Sequence, residues 1–453
     1  MSHSSQPEQD SSVETEEYPA SYLDRGFDKV IQPTVIDWGY RARAAFDSLS
    51  GGIDRAGAAL ARKISWNDPV EGRPNVLCLD RAMLRKDVAE MRRHGEVNFP
   101  HISVQSVRRP QEDWVPPQWR RQTYIYNYVE EDIRWVRPHL KRFGLAFLRA
   151  AHAIRPIHAI LAGNMDYWQD EALKLACEEL GIPFVALCRE NYLWPSEAEL
   201  VKKQYLLAKF RYRGAAVAVA SDPTREALYQ TGAFHHGTIT TTGWPRFDAW
   251  RDTGGRQSVE KDTITLFSYA DPLYLAPKNF AQVLECFIAL AAESAELVQF
   301  VLKAKKPNEV QNHFRQFPGL QGSRVKVVAE IDLPDLISRS KGIIGYNSSA
   351  VLEGLLCDTA IVIPFWGDSV RGVNDTTLHP ARQEDQAVAS FVTDPEQLKT
   401  VIRDIIAGRT DPRGDQAARL GRFAAFSHFE ANTSSSHLVT EVVREAIART
   451  HRR

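Results

Sequence analysis

Short apolar runs and helix-length amphipathic stretches alternate along this chain, and the alternation occurs in two separate blocks. Asn75-Val-Leu-Cys-Leu-Asp80 is a strand-length run; a helical stretch through Met83, Val88 and Met91 follows, then a second run from Phe99 to Val104. Strand, helix, strand is the pattern of a parallel α/β sheet. The clearest unit comes later. Ile157–Leu161 reads as a strand, a helix spans about Gln169–Leu180 and is stopped by Gly181, and Pro183–Cys188 is the next strand. Ala215–Ala220, a helix near Asp222–Gln230 with Pro223 in its first turn, and Thr238–Thr242 repeat the theme.

The polar stretch around Gly254-Gly255 reads as a linker, after which the alternation resumes. Strands are expected at Thr263–Tyr269, Val298–Leu302, Val325–Ala329, Gly342–Gly345 and Ala360–Pro364. Helices are expected at about Asn279–Leu297, Leu333–Arg339 and Ser348–Leu356. The chain therefore divides into a disordered tail (1–21), a helical extension (22–70), two α/β domains (71–255 and 256–430) and a C-terminal helix (431–453). Two such domains form a cleft between the carboxyl ends of their sheets, where doubly wound folds bind small ligands.

Two segments read less simply. Arg108–Arg120, with Trp114, Pro116, Pro117 and Trp119, reads as a long loop before a helical region at about Glu130–Ile154. The extension carries Trp38, Phe46, Leu49 and Ile53 among Arg41, Arg43, Arg55 and Arg62, and is broken at Gly51-Gly52. Two readings stand for it: a basic amphipathic surface for a membrane or partner, or a helical layer packed on the main body.

Composition excludes several classes. Across 453 residues, Lys and Arg number 56 and Asp and Glu 57, a net charge of -1, which argues against a nucleic-acid coat but leaves room for a local phosphate pocket. Five scattered cysteines without CxxC spacing read as buried thiols in a reducing compartment. No apolar run approaches the roughly 18 residues of a membrane span. The Ser- and Glu-rich start lacks the apolar core of a secretory signal, so a cytoplasmic location is expected. No GxGxxG follows the first strand and no GxxxxGK[ST] occurs, which removes most support for dinucleotide and P-loop readings.

The strongest constellation is Gly345-Tyr-Asn-Ser-Ser-Ala-Val-Leu-Glu-Gly-Leu-Leu356. Ser349 and Glu353 are four apart and share a helix face. A helix start there offers N–H groups to a phosphate, and Glu353 one turn in offers acceptors to ribose hydroxyls. Plain capping by Asn347 or Ser348, with Glu353 on a solvated face, fits the spacing equally.

Asp332–Pro364 resembles the donor-binding segment of GT-B glycosyltransferases, above all bacterial capsule and surface-polysaccharide transferases and teichoic-acid-type polyol-phosphate polymerases. Gly243-Trp-Pro-Arg-Phe-Asp248 resembles the Gly-x-Pro-Arg-x-Asp segment of the same families. The resemblance implies a GT-B-like fold of two Rossmann-like doubly wound domains. It implies a metal-independent glycosyltransferase without cofactor, taking a CMP-, CDP- or UDP-linked sugar to a glycan or lipid-linked acceptor for capsule or lipopolysaccharide. Peripheral contact with the inner membrane face is left open and nucleic acid is not a partner. A polyol-phosphate transferase using a CDP-alcohol, a nucleotide-sugar 2-epimerase and an inactive GT-B scaffold are the alternatives.

On the same basis Arg246, Lys303, Lys305, Asn347, Ser348, Ser349 and Glu353 are expected to hold nucleotide and phosphate. The family often carries a histidine in a Lys-x-His-Pro segment, where this chain reads Lys303-Ala-Lys-Lys-Pro307; the lysines remain as point charges. Gly163-Asn164-Met-Asp166 and Arg189-Glu190-Asn191 each follow a strand, the position that serves the acceptor in the family. Glu190, then Asp166, is expected as base or nucleophile. Asn164 and Arg189, with Asp368 after the last strand, are expected on the substrate. His235-His236 reads as a surface loop, and no cluster has metal-ligand spacing.

Overall fold

The computed structural model of the protein describes residues 35–116, 134–252, 260–269, 276–294, 296–409, 415–430 and 432–452. The expected tail, the start of the extension, Trp119, residues 130–133 and the Gly254-Gly255 linker lie outside the described residues.

Two six-stranded sheets organise the chain. The first contains β1 (Val76–Asp80), β2 (His101–Ser103), β3 (Ala159–Ala162), β4 (Phe184–Leu187), β5 (Ala216–Val219) and β6 (Ile239–Thr241), in the order β2-β1-β3-β4-β5-β6. The second contains β7 (Thr263–Phe267), β8 (Gln299–Lys303), β9 (Val325–Val328), β10 (Ser340–Ile344), β11 (Ala360–Pro364) and β12 (Ser390–Val392), in the order β12-β11-β10-β7-β8-β9. Every pairing between these strands is parallel. Helices cover both faces, so strands such as β3, β4, β7 and β11 are buried throughout, which is why they read as unbroken apolar runs. The expected pair of Rossmann-like α/β domains is what the chain forms.

Strand order reverses between β1 and β3 in the first sheet and between β7 and β10 in the second. Cys78 pairs with Leu161 at one reversal and Ile344 with Leu266 at the other. Crevices outside the carboxyl ends of strands at such reversals are where open α/β sheets take their ligands. Asp80, Gly163 and Asn164 leave the first; Ser268 and the Gly345–Asn347 turn leave the second.

The C-terminal segment returns to the first domain. Helix Gln416–Phe426 serves the second domain, through Arg419 donating to the carbonyls of Gly354, Cys357 and Thr359 at 2.6, 2.9 and 2.7 Å. His428 N–H then donates to the Ala220 carbonyl at 2.7 Å, and helix Ser435–His451 packs on helix Arg85–His94 and on β5.

Some expectations change. The stretch expected to be a loop from Arg108 begins inside helix Val104–Gln111. Ser103 caps it, and Pro110, which cannot donate to the carbonyl one turn back, lies in its last turn, where the helix ends. The expected strand Phe99–Val104 shrinks to His101–Ser103. Helices Pro195–Leu207, Pro307–Gln316, Pro395–Ile406 and Gln416–Phe426, and strand β12, were not expected. The extension forms helices Val35–Leu49 and Gly52–Ala61, broken at Gly51, whose φ of 71° is left-handed. All five cysteines are free and buried. No described helix is long and apolar enough to cross a membrane.

Candidate functional site

The segment Gly243–Asp248 is where three parts of the chain meet. Gly243 adopts φ +72°, and a Cβ there would lie 2.2 Å from the His428 carbonyl oxygen, so only glycine fits the crossing. Trp244 is buried and its Nε1–H donates to the Cys188 carbonyl at 3.2 Å. Pro245 opens a single 3-10 turn, and Phe247 packs edge-on against Phe423. The Asp248 carboxylate accepts from Ser435 N–H, Ser436 N–H and the Ser434 hydroxyl at 2.9, 2.8 and 2.9 Å, capping the C-terminal helix. Most of this motif is therefore architectural, and its Arg246 is set on a rigid platform.

Arg246 has its guanidinium 4.6 Å from the Trp244 ring centre and 4.8 Å from that of Phe247. Arg189 lies over the same indole at 5.0 Å. Asp87, fully buried, ties both segments: Arg189 Nη1 donates to its Oδ2 at 2.7 Å, and the Arg246 backbone N–H donates to its Oδ1 at 3.0 Å. The Nε atoms of both arginines are buried without a hydrogen-bond partner. Burial pulls the Arg189 guanidinium below its ordinary value, and Asp87 opposes that pull. Two like charges held together in a partly dry place, with donors in reserve, are suited to an anion.

Glu353 of the second domain faces this cluster. Its side chain is buried rather than solvated, contrary to the plain capping reading. Burial raises its pKa, and Arg246, Lys86 and Arg189 oppose the rise. Lys86 also reaches Asp332 across the cleft at 2.7 Å, an exposed pair of small energetic weight. Sequence reasoning missed Asp87, Lys86 and the role of Trp244. An acid at helical spacing from Leu84 and Met91, on the apolar side of Arg85–His94, was the available signal for Asp87.

In the second domain Asn347 adopts φ +44°, with its Oδ1 accepting from Thr377 N–H at 3.0 Å and its Nδ2 donating to the Asp375 carbonyl at 3.4 Å. Ser348 caps the helix Ser349–Glu353 through Ala350 N–H at 3.3 Å, and Ser349 is exposed. A small indentation opens here, lined by Tyr346, Asn347, Ser348, Val351, Leu352, Ile363, Thr377 and Leu378.

The lysines are more dispersed. Lys303 ends β8, partly buried, with Nζ donating to the Ala304 carbonyl at 2.6 Å; burial lowers its pKa. Lys305 is exposed, and its backbone N–H donates to Glu309 at 2.8 Å. The expected histidine is absent from that segment, but His313 from the following helix reaches Ser268 at the end of β7, Nε2 to Oγ 2.9 Å. Its ring lies near Phe280 and Phe317, burial lowers its pKa, and Nδ1 has no partner. Asp368 is engaged otherwise than expected. Its two oxygens accept from Lys278 N–H at 2.9 Å and Asn279 N–H at 2.8 Å, at the start of helix Pro277–Ser294.

The first-domain carboxylates do come together. Asn164, fully buried, accepts from Met165 N–H at 2.7 Å and extends its amide to Glu190 at 3.5 Å. Asp166 is also fully buried; Tyr205 donates to its Oδ2 at 2.7 Å, and Oδ1 has no partner. Burial lifts the Asp166 pKa to about 7, against the pull of Tyr205 and Lys174. Glu197, also unforeseen, is raised to about 7 by burial and by Glu190. Glu190 itself is partly exposed at the carboxyl end of β4. The group combines a solvent-reaching acid with buried, proton-holding neighbours. Among the described residues no set of three His, Cys, Asp or Glu is arranged to hold a metal.

No family model and no curated protein matches the sequence. Solved structures with a similar chain path include UDP-GlcNAc 2-epimerase from Neisseria meningitidis bound to UDP-GlcNAc, 12% identical, covering 82% of this chain and 100% of that one, TM-score 0.45. Another is α,α-trehalose 6-phosphate synthase from Burkholderia multivorans, 12% identical, covering 83% and 99%, TM-score 0.44. A third is Medicago truncatula UGT71G1 complexed with UDP-glucose, 12% identical, covering 83% and 98%, TM-score 0.45. At this level of identity the likenesses name no substrate.

Proposed function

We propose that the chain is a GT-B glycosyltransferase that moves a sugar from a nucleotide-activated donor to a glycan or lipid-linked acceptor, in the assembly of a capsule or lipopolysaccharide on the cytoplasmic side of the membrane. The observation that carries the reading is the pair Arg189 and Arg246 on Trp244, set by Asp87 and facing Glu353. A donor diphosphate takes the guanidinium donors, and Glu353 accepts from its ribose hydroxyls. The turn at Asn347 and Ser348, at the carboxyl end of β10, receives the rest of the nucleotide. As the acceptor oxygen bonds to the anomeric carbon, the bond from that carbon to phosphate oxygen breaks, and negative charge grows on the leaving diphosphate. Preorganised arginines stabilise that charge more than they stabilise the ground state.

Glu190 takes the proton of the acceptor hydroxyl. It is preferred to Asp166 because it is the more exposed of the two, whereas Asp166 is buried and bonded to Tyr205. Asn164 orients Glu190 in this scheme, and Lys303 and Lys305 add positive potential at the rim.

The test is to incubate the protein with UDP-, CDP-, CMP- and GDP-linked sugars and with a CDP-alcohol, each with and without a membrane extract as acceptor, and to measure released nucleotide. Release that needs acceptor and disappears in Glu190→Gln supports the reading. Conversion of donor alone to an epimer points to an epimerase, acceptor-dependent release of CMP from a CDP-alcohol to a polyol-phosphate transferase, and binding without release to an inactive scaffold; each overturns it.

A further inference from the structure

The outermost helix of the first domain, Val35–Leu49, leaves its apolar side uncovered. Trp38 is 70% exposed, Phe46 66% and Leu49 91%, while Ala44 is the one residue of this helix in the buried core among those described. At 3.6 residues per turn, Trp38, Ala42, Ala45, Phe46 and Leu49 fall within about 100° of one another. All five are exposed. The helix is held from its other side: Trp114 Nε1–H donates to Asp47 at 3.1 Å, and Arg142 Nη1 donates to the Ser48 carbonyl at 2.7 Å. These bonds fix the helix with its apolar stripe outward.

We propose that this stripe is a membrane-docking face that lies in the headgroup region of an anionic bilayer. Three observations choose the bilayer. First, the exposed portions of Trp38, Phe46 and Leu49 amount to roughly 450 Å², well short of the about 800 Å² per partner in a stable dimer. Second, the charge is complementary: from Trp38 to Lys63 the chain carries five basic residues (Arg41, Arg43, Arg55, Arg62, Lys63) against Asp47 and Asp54, although the whole protein has a net charge of -1. Third, the stripe joins an indole to aliphatic and phenyl groups. Arg41 stacks between the rings of Trp38 and Trp135, at 5.6 and 5.1 Å, and so holds the exposed Trp38 indole at the edge of the apolar stripe, where an indole suits the boundary between headgroups and acyl chains. A single face of this size gives reversible binding, as an enzyme that meets a lipid-linked acceptor requires.

The test uses the full chain and co-sedimentation with vesicles of phosphatidylcholine alone or with roughly one-third phosphatidylglycerol, at low and high salt. Wild type is expected in the pellet with the anionic vesicles and less so with the zwitterionic ones or at high salt. Leu49→Glu and Phe46→Glu are expected to weaken partitioning about tenfold or more, with the melting temperature unchanged because both positions face solvent. The proposal is overturned if wild type stays in the supernatant or if the glutamate variants pellet equally. It is also overturned if light scattering shows a dimer that Leu49→Glu dissociates, since a second copy would then be the occupant.

Discussion

Asp87→Ala isolates the interaction on which the candidate site is built. The side chain is fully buried, and it is the acceptor for both Arg189 Nη1 at 2.7 Å and the Arg246 backbone N–H at 3.0 Å. Removing it leaves a guanidinium whose side chain is only 10% exposed without its ion partner. Breaking a buried pair from one side costs about 3–5 kcal/mol, because the surviving charge stays desolvated. The orphaned N–H is part of the same loss, since the two bonds share one carboxylate. For a domain of this size that is a fall on the order of 10 °C in melting temperature. Asp87→Asn, which keeps one acceptor oxygen, should lose about half as much. The decisive variant is Asp87→Ala with Arg189→Met. With both charges gone no unpaired ion remains, so the double variant should be more stable than Asp87→Ala alone, with a coupling of about 2 kcal/mol or more. Urea and thermal unfolding of the four proteins give the cycle. Additive losses, or an Asp87→Ala loss under about 1 kcal/mol, would refute the reasoning that Asp87 holds the two arginines in place.

Other expectations follow from the same physics. Asp166, raised to about 7 by burial, stays protonated in the fold while the unfolded chain ionises near the ordinary carboxylate value. The folded state thus holds the extra proton between about pH 4 and 7, and stability falls as pH rises through that window, by at most about 4 kcal/mol. Asp166→Asn should flatten that fall and leave the variant more stable than wild type above pH 7, as read by urea titrations at each pH; Glu197 contributes a slope of the same sign. Arg419→Met should cost about 3–5 kcal/mol, since three buried carbonyls lose one donor group. Arg419→Lys, lacking the planar fork, should recover part of that in thermal melts. Gly243→Ala should destabilise by about 2 kcal/mol or more, from a left-handed φ and a Cβ 2.2 Å from the His428 oxygen. A melt within 1 °C of wild type would contradict that account.

Much of the sheet architecture was legible because parallel strands buried on both faces announce themselves as apolar runs, as in β3, β4 and β11. Helix Asp222–Gln230 was readable from Pro223 in its first turn and from Gly232, whose φ of 66° is left-handed, just past its end. Helix Pro395–Ile406 carried comparable signals, Asp394 as cap with Leu398, Ile402 and Ile405 on one face, and was overlooked. Strand β12 is three residues at a sheet edge, too short to show a period. In the site, local spacing placed a cap at Asn347 or Ser348, and the structure gives it to Ser348, with Glu353 one turn beyond. Only tertiary packing shows that Glu353 is buried against Arg246 and Lys86, residues more than a hundred positions away. Asp248 and Asp368 illustrate the opposite case. Each looked like a site carboxylate or sat in a family motif, and each accepts from backbone N–H groups at a helix start.

We propose that Arg246 and its partners hold the phosphates of a nucleotide. Isothermal titration of UDP, CDP, CMP and GDP into wild type and Arg246→Ala tests it most directly. The variant keeps the backbone N–H that bonds Asp87, so the fold should be unaffected. At least one nucleotide should bind wild type and lose roughly tenfold or more in affinity in the variant, as for one charge-assisted contact. Equal affinity for the two proteins, or no binding of any of the four to wild type, would contradict it.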